Sequence, residues 1–99
     1  MAGTWWILGF TYDAVIDAWQ DARLADAVSR EWENAGRPPL VEVWWCTSAD
    51  DYAFRWYLNE AAAELLDRAN VTWRSFIVGQ TTSLPDGARP FVPANDDKP

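Results

Sequence analysis

The only thiol in the chain is Cys46, and its surroundings in sequence do little to activate it. It stands just ahead of a predicted helix start, where partial positive charge lowers a thiol pKa, but Asp50 and Asp51 oppose that shift. The chain contains no His, which rules out the Cys–His pairing that activates most thiol nucleophiles. The C-x5-R pattern of thiol phosphatases also fails, because Tyr52 occupies the Arg position. Cys46 therefore reads as a buried structural thiol. Without His or a second Cys, neither a zinc nor a haem site is expected. A nucleotide cradle needs Gly where backbone meets phosphate, and the turn after the first apolar run is Thr11-Tyr12-Asp13, with no Gly-rich or Walker pattern. No cofactor is expected. Carboxylates at i,i+4 (Asp13/Asp17/Asp21 and Glu60/Glu64) share helix faces and have the spacing to hold Mg²⁺ or exchange protons. Helix starts favour acids and solvated helix faces carry charge, so these are read as surface and no metal site is assigned.

The elements that must position any site follow from periodicity. Residues 4–10, Thr-Trp-Trp-Ile-Leu-Gly-Phe, form an apolar run of strand length. Residues 12–35 change to a helical period, with Val15, Trp19, Ala22, Ala25, Val28, Trp32 and Ala35 in one stripe. Gly36 and Pro38-Pro39 stop that helix. Leu40 to Cys46 is the second predicted strand, and Ser48-Ala49-Asp50-Asp51 has the form of a capping box. It opens a second predicted helix over 50–69, with Phe54, Leu58, Ala61, Ala62, Leu65 and Ala69 as its stripe. Asn70-Val71-Thr72 matches a glycosylation sequon but reads as a helix end. Val71 to Gly79 is the third predicted strand. From Leu84-Pro85-Asp86-Gly87 onward the texture is Pro-rich and polar. The expected organisation is a single α/β domain over 1–85 with a Pro-rich C-terminal tail over 86–99.

Strands alternating with long helices imply a β-α-β-α-β fold: a small three-stranded parallel sheet with two long helices. The first strand is apolar on both faces, which places it centrally and gives order 2-1-3. The alternative is order 1-2-3, with both helices on one face and an aromatic face left open. In order 2-1-3, Leu8 is among the most buried residues. A ligand cleft would lie beyond the carboxyl ends of the strands, lined by Thr11, Tyr12, Asp13, Cys46, Ser48, Gln80 and Thr81. Their plainer roles are helix caps and a polar loop. Strand 2 would be an edge carrying Trp44 and Trp45, with Glu42 preceding them. These three residues form the candidate interface, covered either by Phe91-Val92 folding back or by another chain.

Composition bounds the function. Eight tryptophans are more than so small a core can enclose, so some indoles should remain partly exposed. The net charge is −7, and residues 1–85 hold twelve acids against six bases, so the excess belongs to the folded part. Such a surface repels nucleic acid and anionic membranes. No apolar run approaches a membrane span, and Thr4–Phe10 lacks the length and basic flank of a secretory signal, so a cytoplasmic location is expected. The expected function is that of a non-catalytic binding or accessory domain, with a protein partner or a second copy. One alternative is a small acidic inhibitor or immunity-type protein for a basic partner. In size, charge and element order alone the chain resembles barstar-like ribonuclease inhibitors. The other alternative is a small enzyme using the strand-end cleft.

Overall fold

A computed structural model describes residues 3–11, 15–48 and 53–92. The chain runs β1 (Trp5–Thr11), α1 (Val15–Asn34), β2 (Val43–Ser48), β3 (Ala53–Leu58), α2 (Glu60–Arg68), a 3-10 turn (Arg74–Phe76), β4 (Ile77–Thr81) and β5 (Arg89–Val92). The strands form one sheet in the order β4-β1-β3-β2-β5, and every neighbouring pair is antiparallel. The expected three-stranded parallel sheet is therefore incorrect in either strand order. The resemblance to barstar-like inhibitors, which rested on that element order, lapses with it.

The cause lies in residues 53–58. Phe54, Trp56 and Leu58 alternate with Arg55 and Tyr57, the period of a strand with one buried face. Phe54 and Leu58 are also four apart, which satisfies a helix, so the second helix was expected to begin some ten residues too early. As a strand, this segment folds back on β2 and inserts between β1 and β2. Because β1 and β2 are each antiparallel to β3, they run parallel to one another, and α1 connects them as a split β-α-β crossover.

The true start of α2 is Asn59. Its Oδ1 accepts from the Ala62 backbone N–H at 2.9 Å and from that of Glu42 at 3.1 Å, and its Nδ2 donates to the Leu40 carbonyl at 2.6 Å. One side chain thus caps the helix and ties down the entry to β2. Ser48, expected to cap this helix, ends β2 opposite Ala53, and Asp51 lies outside the described residues. We expect Asn59→Ala to cost about 2 kcal/mol, the loss of a cap plus two further bonds, with an unchanged denaturant slope. Urea unfolding measures this; an unshifted midpoint would remove Asn59 from that role.

Both helix ends use a left-handed residue followed by a 6→1 hydrogen bond. Gly36 has φ 85° and Arg37 N–H reaches Trp32 O at 2.9 Å; Asn70 has φ 60° and Val71 N–H reaches Leu66 O at 2.9 Å. The helices pack on the same face of the sheet. Leu24 and Val28 of α1, with Ala62, Ala63, Leu65 and Leu66 of α2, meet Leu8, Val43, Trp56, Leu58 and Val92. Leu8 is completely buried. Trp73 closes the same core beneath the 3-10 turn. Its indole donates to Asp67 Oδ1 at 2.8 Å, and its ring meets Trp6 edge-on with centroids 5.9 Å apart.

β2 is not an edge. Arg89–Val92, expected in the tail, pairs with it as β5, and Val92 is 2% exposed. The two real edges are both bulged. Pairing passes from Ile7↔Gly79 to Leu8↔Ile77, leaving Val78 as the extra residue of β4. It passes from Val43↔Val92 to Trp44↔Pro90, leaving Phe91 as the extra residue of β5. Bulges bend an edge away from further pairing, and Pro90 offers no N–H. Among the described residues no helix is long and apolar enough to cross a membrane.

Candidate functional site

Because strand side chains alternate, placing Leu8, Trp56 and Val43 under the helices sends Ile7, Tyr57 and Trp44 to the face that neither helix covers. Ile7↔Tyr57 and Tyr57↔Trp44 are register partners, so these three form one rung across the sheet, continued by Pro90 opposite Trp44. The next rung is Gly9, Arg55 and Cys46. In the other direction Asn59 N–H donates to Glu42 O at 3.2 Å, which puts Glu42 two residues below Trp44 on the same face.

Ile7, Trp44, Cys46 and Arg55 are each half-buried, and Tyr57 is 7% exposed. The Trp44 indole donates to Glu42 Oε1 at 3.0 Å, which fixes the ring against the strand. The Cys46 thiol donates to the Tyr57 hydroxyl at 3.9 Å. Burial, reinforced by the neighbouring Cys46, pushes the Tyr57 pKa above the ordinary phenol value, so Tyr57 stays a neutral hydrogen-bonding group. Gly9 has a structural reason: a Cβ there would come within 2.9 Å of Val78 Cγ1, so its absence lets Val78 lie over the sheet. Val78 remains 61% exposed.

Among the expected interface residues, Trp44 and Glu42 belong to this surface and to each other. Trp45 points the other way, stacked edge-on against Phe54 at 6.2 Å with the Arg89 guanidinium 5.5 Å from its ring centre. The expected strand-end cleft is not assembled. Thr11 and Ser48 end β1 and β2 at one end of the sheet, with Cys46 one rung below Ser48. Gln80 and Thr81 pair with Trp6 and Trp5 at the start of β1, about 20 Å from Thr11 at ~3.3 Å per residue. Antiparallel β4 is the reason: its carboxyl end lies where β1 begins. Tyr12 and Asp13 lie outside the described residues.

Sequence reasoning missed Ile7, Tyr57 and Arg55. The signal for the last two was the alternation of residues 54–58. Seven tryptophan side chains are described, of which Trp56 and Trp73 are buried and Trp5, Trp6, Trp32, Trp44 and Trp45 half-buried. Among the described residues no group of three or more Cys, Asp or Glu could hold a metal ion. Open grooves are also present among the described residues. One, about 560 Å³, runs between α1 and the segment after α2, with Arg23, Arg30, Thr72 and Ser75 on its walls. Another, about 450 Å³, lies at the end of the sheet beside Trp5, Glu42 and Glu60. Compared with protein families, curated proteins and solved structures, the chain matches none.

Proposed function

We propose that the chain is a non-catalytic binding domain that acts by protein–protein contact, through the sheet face that neither helix covers. The observation that carries this reading is the rung Ile7–Tyr57–Trp44, in which the half-buried Ile7 and Trp44 flank a buried Tyr57 across the middle of that face. Trp and Tyr are the residues that most often dominate interface energetics. The bond from the Trp44 indole to Glu42 holds that ring in place before binding, so docking loses less rotamer freedom. With both edges bulged, strand addition is disfavoured and the face is the better docking surface.

The test is Trp44→Asp, followed by the apparent mass of the protein in extract of its native cell. The variant should keep its fold by circular dichroism and lose its complex, with affinity reduced about 30-fold or more, as for a central aromatic anchor. The wild-type complex should persist at ~1 M salt, where charges beyond ~3 Å are screened. A complex that Trp44→Asp leaves intact would sink this reading. One that dissolves in salt would point instead to the acidic surface and a basic partner.

A further inference from the structure

We infer that the partner on this face is a second copy of the chain, related by a two-fold axis that lies between the sheets and crosses the strands at the Trp44–Tyr57 rung. The inference rests on the binding reading above and adds the identity of the occupant.

Two charged residues, Glu42 and Arg55, alternate onto this face among the described residues of the strands and their flanks. They sit on either side of the Trp44–Tyr57 rung, each two residues away, or about 7 Å along the strands. A two-fold axis across the strands exchanges the two directions along them. It therefore lays Arg55 of one copy over Glu42 of the other, one strand apart (about 4.8 Å) and across a sheet spacing of about 10 Å, within reach of a guanidinium on its stem. The pairing occurs twice by symmetry, and Trp44 and Ile7, on either side of the buried Tyr57, meet their own counterparts between the two pairs. An axis along the strands would instead bring Glu42 level with Glu42, so the charges select the first arrangement.

The remaining charge favours the same packing. Asp26, Glu31 and Glu33 lie on α1, and Glu60, Glu64 and Asp67 on α2. Face-to-face sheets hold these acidic layers on opposite outer sides of the dimer, separated by well over the ~8 Å Debye length of physiological salt. Two copies of a −7 chain can thus associate by a layer whose described residues are nearly neutral. Five strands at ~4.8 Å by six residues at ~3.4 Å give a face of roughly 500 Å² in plan. With side-chain relief this is of the order of the ~800 Å² per partner in a standard interface.

Sedimentation equilibrium of the full chain tests the arrangement by charge exchange. The wild-type chain should dimerise, Glu42→Arg and Arg55→Glu should each weaken the dimer at least tenfold, and the double variant should return to within a few-fold of wild type. Within one chain the two residues stand too far apart for one exchange to repair the other, so rescue can come only from contact between copies. Should either charge variant fail to fold, E42C supplies the same answer. Its new thiol would lie over Cys46 of the second copy, and a short bismaleimide should join positions 42 and 46 into covalent dimers.

A full chain that stays monomeric throughout the accessible concentration range would overturn the dimer, as would a double variant no better than the singles or an E42C chain that yields no 42–46 crosslink. If the dimer is absent while Trp44→Asp still abolishes the complex in extract, the dimer falls and the binding reading stands. If Trp44→Asp leaves the extract complex intact, the reading itself falls.

Discussion

Leu8→Asp should leave the chain without a cooperative thermal transition. Leu8 is completely buried in β1, an interior strand, opposite Trp56 on one side and Ile77 on the other. An aspartate there has no cationic partner in the core cluster, which is made of apolar residues from both helices and the sheet. Burying an unpaired charge costs several kcal/mol or forces its protonation, and the lost leucine contacts add their own deficit. Domains of this size hold only about 5–15 kcal/mol in total. Leu40, 74% exposed, is the matched control, and Leu40→Asp should melt close to wild type. Thermal scans by circular dichroism decide the matter. A cooperatively folded Leu8→Asp protein with an unshifted midpoint would contradict the placement of β1.

Trp73→Ala is expected to cost about 3–5 kcal/mol, enough to lower the melting midpoint by roughly 15–30 °C. Trp73 is 1% exposed, and its removal leaves a cavity beside Trp6. Trp73→Phe fills most of that space but loses the indole bond to Asp67 and part of the ring under Arg74, so its loss should be smaller and, through the bond, pH-dependent. The Asp67 pKa is lowered first by the hydrogen bond from Arg74 and then by that from Trp73. A carboxylate whose folded pKa is depressed contributes stability above its unfolded value, ~3.9, and loses that contribution as pH falls through the folded value. The stability gap between wild type and Trp73→Phe should therefore be widest near neutrality and narrow on acidification. A gap independent of pH would mean that the indole–carboxylate bond carries none of it.

Which parts of this structure were legible in sequence depends on whether a residue's role is set locally. The stop of α1 is local, since Gly36 supplies the left-handed residue and Pro38-Pro39 prevents continuation, and the helix ends where expected. The burial of Leu8 was legible too, because a run with two apolar faces belongs inside a sheet. β3 was not, because Phe54 and Leu58 satisfy both periods and only contact with β1 and β2 decides between them. Asn59 followed by Glu60 did carry a helix-start signal, overshadowed by the Ser48–Asp51 pattern upstream. β5 is the least local element. Arg89-Pro90-Phe91-Val92 has little strand character alone and becomes a strand because β2 offers it an edge. The surface inherits these limits: the doublet Trp44-Trp45 had to split between two faces, but assigning Trp44 to the open one required β3. Losing β3 also reversed β4, which is why Thr11 and Thr81 were placed together although the sheet separates them.

The pairing of β5 with β2 sets an order in time. The edge of β2 that carries Trp44 and Trp45 is complete at Ser48, but forty residues intervene before the strand that covers it begins at Arg89. At about 5–20 residues per second, synthesis leaves that edge open for roughly 2–8 s. During this interval a β2 edge can pair with the same strand on a neighbouring unfinished chain, a route to aggregation that the finished fold does not offer. A chain stalled or cleaved before Arg89 would never close it. Quality control of this protein therefore turns on β5, and polysome density is a variable that should set its yield.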